Sequence, residues 1–135
     1  MSESSYPYTA RNGTCKWSTS NTGVTASGYT NVSANNPTAM KTALATKPLS
    51  VSIEADKAVF QSYKSGIFTS TTCGTNLDHA TNVVGWGTSG STEYWVMRNS
   101  WGTSWGEKGY MRLAIVSGNG ICGIQMEPLY PNAAS

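Results

Sequence analysis

The stretch Arg98-Asn99-Ser100-Trp101-Gly102-Thr103-Ser104-Trp105-Gly106-Glu107 lies between two strand-like runs of the chain, at 93–98 and 110–116. It places a side-chain amide beside two tryptophans, twenty residues after His79, the only histidine. A lone histidine is more often structural than catalytic. However, the Asn99 carbonyl can accept from one imidazole nitrogen, fix the tautomer and aim the other nitrogen at a nucleophile. An indole over this pair would exclude water and strengthen the bond. The pattern therefore predicts the imidazole and the orienting amide of a site for nucleophilic catalysis.

Further strand-like and helical runs flank this stretch. The run 80–86 is apolar around Val83 and Val84, the run 126–130 is predicted to close the sheet, and 49–53 alternates apolar and polar residues. Glycine-rich turns separate the later runs. A helix is predicted to begin at Pro37, with Asn36 as its cap, and to stop before Pro48. A second short helix is predicted at 56–63. This order predicts an α+β fold with an antiparallel sheet or barrel-like core and one or two short helices.

The composition predicts one domain with a weakly charged surface. The 135 residues are 39% apolar and only 12% charged, about half the usual charged share. The formal net charge of +2 is too small for nucleic-acid binding, and no apolar run is long enough to cross a membrane. Residues 1–33 are polar and are predicted to be an extended connecting segment, followed by a sheet-rich domain at 34–135.

The first residues and two sequence motifs bear on where the protein is made. The start Met1-Ser2-Glu3-Ser4-Ser5 has neither a basic nor an apolar stretch, so no signal peptide is predicted. The composition is nevertheless typical of a secreted protein, so the chain is either a piece of a larger precursor or carries an added Met1. The sequons Asn12-Gly13-Thr14 and Asn31-Val32-Ser33 fit a secretory history.

The chain has three cysteines, Cys15, Cys73 and Cys122. An odd count leaves at least one of them without a partner inside the chain. The three are either buried reduced thiols, or one internal bridge and one cysteine whose partner lies on another chain. No pair has zinc-ligand spacing and only one histidine is present, so no metal site is predicted. No phosphate-binding loop is found, and no cofactor is predicted.

Short stretches distributed along the chain form a recognisable series. They are Tyr6-Pro7-Tyr8, residues 48–55, Tyr63-Lys64-Ser65-Gly66-Ile67-Phe68, Cys73-Gly74, Asp78-His79-Ala80, Val83-Val84-Gly85-Trp86-Gly87, Asn99-Ser100-Trp101-Gly102, Trp105-Gly106-Glu107-Lys108-Gly109-Tyr110 and Cys122-Gly123-Ile124. In this order they resemble the papain-like cysteine proteases, in the cathepsin L-like branch. The blocks that begin at Asn99 and Trp105 are the most specific, and the family carries its His and Asn downstream of a catalytic Cys.

The resemblance implies a catalytic role for three matching residues. His79 would be the general base and acid, and Asn99 would orient its ring. Trp101 would shield the hydrogen bond between them. The expected reaction of the whole enzyme is peptide hydrolysis through an acyl-enzyme.

The resemblance also implies three substrate-binding residues. Asp78 would line the cleft and contact the substrate backbone. Ser52 would line the S2 pocket, and Glu127 would lie at the floor of that pocket. A carboxylate there would admit a basic side chain as well as an apolar one. The alternative for Glu127 is a solvated charge at a strand edge.

The resemblance covers only the C-terminal portion of the enzyme. Cys73 and Cys122 match a disulfide of this portion, and Cys15 matches a cysteine whose partner lies in the other half. None of them fits the nucleophile, which the family carries in a Cys-Gly-Ser/Ala-Cys-Trp segment well over a hundred residues before the histidine. The implied architecture is the sheet-rich right-hand domain with a connecting segment, without the left-hand helical domain.

Two functional hypotheses follow from this resemblance. In the first, the chain is one part of a cysteine endopeptidase that acts on polypeptides and is inactive without the missing N-terminal half. In the second, it is a non-catalytic fragment that binds another protein or a second copy, as a dimer or a domain swap. A carbohydrate-binding sheet domain, which would use exposed aromatic side chains, is a third class. However, most Trp and Tyr residues of this chain fall in the protease motifs. The resemblance implies a secreted or a lysosomal or vacuolar location.

Overall fold

The computed structural model of the chain describes residues 2–21 and 23–133. By internal contacts the chain divides into two units, Met1–Tyr29 with Pro131–Ser135, and Thr30–Tyr130. All buried hydrophobic residues found in the described part belong to the second unit. Within the described residues, no helix is long and apolar enough to span a membrane.

Most of the described elements are strands. In chain order the helices and strands are β1 (Ala26–Asn31), α1 (Pro37–Leu44), β2 (Leu49–Ile53), α2 (Ala58–Gln61), β3 (Ile67–Phe68), β4 (His79–Ser89), β5 (Thr92–Arg98), β6 (Tyr110–Ala114) and β7 (Leu129–Ala133). Single 3₁₀ turns lie at Thr19–Asn21 and Ile121–Gly123. The predicted α+β class with short helices is confirmed.

The strands form one seven-stranded sheet in the order β1-β7-β2-β4-β5-β6-β3. The described registers are antiparallel, except that β3 runs parallel to β6. In β2, Leu49, Val51 and Ile53 are buried, whereas Ser50 and Ser52 are only partly buried. This alternation is the period-two pattern of a strand with one face on the core. Strands β2 and β4 carry Ser52 and His79, and β5 ends directly before Asn99.

Helix α1 begins and ends as its sequence predicts. The Asn36 side-chain oxygen accepts a hydrogen bond from the Ala39 backbone nitrogen at 3.0 Å, and Pro37 occupies the first turn. Such a cap satisfies one of the free N–H groups at the helix start. Met40 is the buried residue of this helix and joins the core.

Several predicted element bounds are wrong, and one strand was not predicted. Helix α2 is shorter than the predicted run 56–63 because the Tyr63 amide already bonds to the Phe60 carbonyl in a tighter turn. Strand β7 begins at Leu129 rather than 126, because the Met126 amide still closes a turn to the Gly123 carbonyl. The short strand β3 was not predicted, since two residues are too few to display a period.

Candidate functional site

His79 is the first residue of β4 and lies opposite Ile53 of β2. The residue before it, Asp78, is hydrogen-bonded through both its backbone and its side chain. Its backbone nitrogen donates to the Ile53 carbonyl at 3.0 Å, and its Oδ1 accepts from the Ala55 nitrogen at 2.8 Å. The backbone that leads into His79 is therefore held to the end of β2 and the residues just after it.

Asn99 follows the end of β5 and is 8% exposed. Its Oδ1 lies 2.9 Å from His79 Nε2 and also accepts from the Ser100 backbone nitrogen at 2.7 Å. A backbone N–H can only donate, so the Ser100 contact assigns this atom as the oxygen of the amide. An amide oxygen only accepts, so Nε2 carries the proton and Nδ1 is the nitrogen left available.

Trp101 packs on the imidazole. The two rings are stacked, with centroids 5.2 Å apart and an interplanar angle of 30°. Phe60 and Trp105 support the indole edge-on, at centroid distances of 5.6 Å and 5.3 Å. Trp105 is itself fixed, because its Nε1 donates to the Gln61 carbonyl at 2.9 Å. The aromatic cluster thus places the indole of Trp101 against the imidazole of His79.

The predicted substrate-binding residues are located on or near β2. Ser52 is partly buried and pairs with Ala80, the residue after His79. Asp78 and Glu127 are both exposed. Glu127 lies two residues before Leu129, the first residue of β7, which pairs with Ser50 of β2.

The cysteines divide into a bridge and a free thiol. Cys73 and Cys122 form a disulfide that joins positions 49 apart in the sequence, as the resemblance implied. Cys15 is free and exposed. In the part of the chain that is described, no group of three or more His, Cys, Asp or Glu side chains could hold a metal ion.

An ion pair stabilises the segment that follows Trp101. Glu107 receives two hydrogen bonds from the Arg112 guanidinium, at 2.9 and 2.6 Å, and one from the Gly66 backbone at 2.8 Å. The Arg112 contact holds the pKa of the Glu107 carboxyl below its usual value. Burial raises the pKa of the neighbouring Tyr63, whose hydroxyl donates to the Gly66 carbonyl at 2.6 Å.

Sequence reasoning missed Glu54. This carboxylate is buried at the end of β2, accepts from the Asn76 backbone nitrogen and pairs with Lys57. The only signal in the sequence is one acidic residue directly after an alternating apolar strand.

The comparisons with known proteins agree with one another. The family model described as papain family cysteine protease matches residues 1–132. The cysteine proteinase COT44 of Brassica napus is 47% identical over 132 residues, which are 96% of this chain and 40% of that protein. Vignain of Ricinus communis is 47% identical over 133 residues, 96% of this chain and 37% of that protein.

Solved structures match at the level of the fold as well. The bromelain protease of Ananas comosus, in complex with the E64 inhibitor, has a TM-score of 0.88 and 42% identity, over 98% of this chain and 62% of that one. Digestive procathepsin L 3 of Tenebrio molitor has a TM-score of 0.91 and 37% identity, over 98% of this chain and 43% of that one. The chain spans about 40% of the length of the curated relatives it matches.

Proposed function

From the premise that this chain belongs to the papain family of cysteine proteases, we propose that it is the C-terminal part of a cysteine endopeptidase. In this proposal His79 and Asn99 supply the imidazole and the amide of the catalytic site for peptide-bond hydrolysis. The observation that carries the proposal is the 2.9 Å contact between His79 Nε2 and Asn99 Oδ1 under the Trp101 ring.

The nucleophile comes from outside these 135 residues. Cys73 and Cys122 are bonded to each other, and Cys15 has Thr14 and Lys16 as neighbours instead of the glycine-rich context of the family's nucleophile. The chain is therefore inactive alone. Activity requires the N-terminal half, which supplies a thiolate to the available Nδ1 of His79.

The reaction proceeds in two halves through a thioester. The thiolate, kept ionised by the His79 imidazolium, forms a C–S bond to the scissile carbonyl carbon. Collapse of the oxyanion breaks the C–N bond, and the leaving amine takes the imidazolium proton. Neutral His79 then removes a proton from water, the resulting hydroxide attacks the thioester, and the thiolate leaves. Asn99 holds the ring in one orientation throughout, and Trp101 shields the bond.

The substrate is a polypeptide held along β2. Asp78 contacts the substrate backbone, Ser52 lines the S2 pocket and Glu127 forms its floor. The exposed positions of Asp78 and Glu127 and the pairing of Ser52 with Ala80, the residue after His79, support this assignment. Residues 1–33 are the connecting segment and 34–135 the right-hand domain. The Cys73–Cys122 disulfide supports a secreted or a lysosomal or vacuolar location, because disulfides persist in oxidising compartments.

A chimera tests this function. The chain replaces its matching segment in the pineapple bromelain protease, and hydrolysis of a fluorogenic peptide is measured for the chimera and for the chain alone. We expect turnover by the chimera only. His79→Ala should lower the rate by about 10³-fold, since a positioned base contributes about 10²–10⁴-fold. Asn99→Ala should lower it by about tens of fold through loss of orientation. The matched control is Asn82→Ala, at an exposed position on β4, the strand that begins at His79.

Two results would overturn the proposal. One is robust turnover by the chain alone with a thiol-reactive label on Cys15, because that cysteine would then be a local nucleophile. The other is a His79→Ala chimera as active as its parent. In the same chimera, Glu127→Gln should lower the preference for a basic over an apolar P2 side chain by about tenfold. An unchanged preference would instead identify Glu127 as a solvated strand-edge charge.

A second candidate function is a protein-binding module, and exposed residues of the first unit favour it. Tyr8 and Trp17 are exposed, and Cys15 is a free exposed thiol. The occupant of this surface is either another protein or a second copy of the chain. Measuring the oligomeric mass with and without reductant distinguishes them, since a Cys15–Cys15 dimer separates on reduction. A monomer under both conditions contradicts self-association.

A further inference from the structure

Glu54 connects the end of β2 to the loop that leads into His79. Its side chain is 5% exposed, and it accepts a hydrogen bond from the backbone nitrogen of Asn76. Its other oxygen lies 3.0 Å from Lys57 Nζ. Its backbone nitrogen donates to the Cys122 carbonyl at 2.9 Å, beside the Cys73–Cys122 disulfide. Glu54 thus bonds to Cys122 through its backbone and, through its side chain, to the loop that follows Cys73.

The carboxylate also determines which residue is tolerated at position 74. A Cβ on Gly74 would overlap the Glu54 carboxylate, and Gly74 has a φ of +77°, a value that favours glycine. The loop backbone therefore packs directly on the acid. Two residues after Gly74, the Asn76 backbone nitrogen donates to the Glu54 carboxylate. After two more residues, the Asp78 side chain accepts from the Ala55 backbone nitrogen. The path from the disulfide to His79 is fixed at every second residue.

Stability alone does not account for a carboxylate at this place. Removing a carboxylate from water is costly, and a buried ion pair often contributes no more stability than apolar residues of the same volume. Lys57 is moreover the exposed member of this pair. The Glu54 carboxylate instead favours one conformation of the loop, because a charge-assisted hydrogen bond forms only when the Asn76 N–H points at it.

We propose that Glu54 is a positioning residue, which holds the 73–78 loop so that the His79 ring meets Asn99 and Asp78 keeps its place at the substrate edge. The proposal rests on the catalytic role proposed above for His79. Glu54 acts through the Asn76 amide and the Gly74 backbone, and not on the reacting atoms.

The test uses the fact that His79 is the only histidine of the full chain, so its imidazole gives one set of ¹⁵N signals. These signals report the fraction of the Nε2–H tautomer, and amide exchange at Asn76 reports the loop. We expect Glu54→Ala to accelerate Asn76 exchange by about tenfold or more and to lower the Nε2–H fraction. Glu54→Gln keeps an acceptor but no charge, so it should lie between the parent and Glu54→Ala in both measurements.

Asp56→Asn is the matched control. It also converts a carboxylate partner of Lys57 into an amide, but Asp56 is exposed and has no bond to the loop. We expect it to leave both signals unchanged. Faster Asn76 exchange with an unaltered His79 spectrum would overturn the positioning role, as would an effect of Asp56→Asn equal to that of Glu54→Gln. If Glu54→Ala does not fold, Glu54→Gln decides alone. Because activity is not measured, failure of the proposed protease function would be seen separately, in the chimera.

Discussion

The two units of the chain differ in what they bury. In the unit Thr30–Tyr130, eighteen hydrophobic residues are buried around the sheet, and the Cys73–Cys122 disulfide lies inside this core. In the other unit, every residue from 2 to 29 whose exposure is described is exposed, apart from the partly buried Ser18. Trp95 is 0% exposed, whereas Trp17 is 62% exposed, although both are tryptophans of one short chain.

This difference separates the residues that stabilise the fold from those that need a partner. A buried aromatic side chain contributes several kilocalories per mole through the area it removes from water. An exposed one contributes almost none until another surface covers it. The proposed catalytic pair, His79 and Asn99, belongs to the unit that has its own core, so the geometry of the pair depends on packing that the chain supplies itself. The three predictions below test this contrast, in order of decreasing effect.

Substitution of the two tryptophans should give the largest contrast. Trp95→Ala removes a fully buried side chain and leaves Gln125, which accepts from its Nε1 at 3.2 Å, with an unpaired buried oxygen. A loss of about 3–5 kcal/mol in the free energy of unfolding is expected. Trp17→Ala, the matched change in the exposed unit, should cost no more than about 0.5 kcal/mol. Urea unfolding followed by circular dichroism measures both. Equal losses would show that the contrast in burial does not govern stability.

The cysteines provide the second contrast. The Cys73–Cys122 disulfide closes a loop whose ends are 49 apart in the sequence, so replacing both cysteines by alanine should cost about 2–4 kcal/mol. Cys15→Ala changes an exposed thiol and should leave the unfolding free energy within about 0.5 kcal/mol of the parent. Thermal unfolding under non-reducing conditions compares them. A larger loss for Cys15→Ala would mean that the exposed unit also contributes to the stable fold.

Much of this organisation could be predicted from local patterns. Asn36 and Pro37 locate the start of α1, and the alternation at 49–53 locates β2, because capping and side-chain period are properties of neighbouring residues. The pairing of His79 with Asn99 was expected from the segment 98–107 and its resemblance to the papain-like proteases. Their hydrogen bond is present at 2.9 Å.

What could not be predicted depends on contacts distant in sequence. Strand β3 exists only because β6 pairs with it, 45 positions further on at Ile67 and Arg112. The role of Glu54 depends on Asn76 and on the space at Gly74, and no spacing rule relates these positions. The Ser100 backbone N–H fixes the orientation of the Asn99 amide. Every residue except proline has such a group, so the residue type at position 100 does not predict this bond.

The smallest contrast concerns two carboxylates and depends on pH. Glu107 is bonded to Arg112, which lowers the pKa of this carboxyl from 4.5. A pKa that is lower in the folded state contributes stability that is present above the unfolded value and is lost as the pH falls through the folded value. Glu107→Gln should therefore cost about 1 kcal/mol at pH 7, limited by partial exposure, and nothing measurable once the parent carboxyl is protonated. Glu3→Gln, in the exposed unit, should have no effect at either pH. If instead the two variants have the same free energy of unfolding from pH 7 to pH 3, the Glu107–Arg112 pair does not stabilise the site-bearing unit.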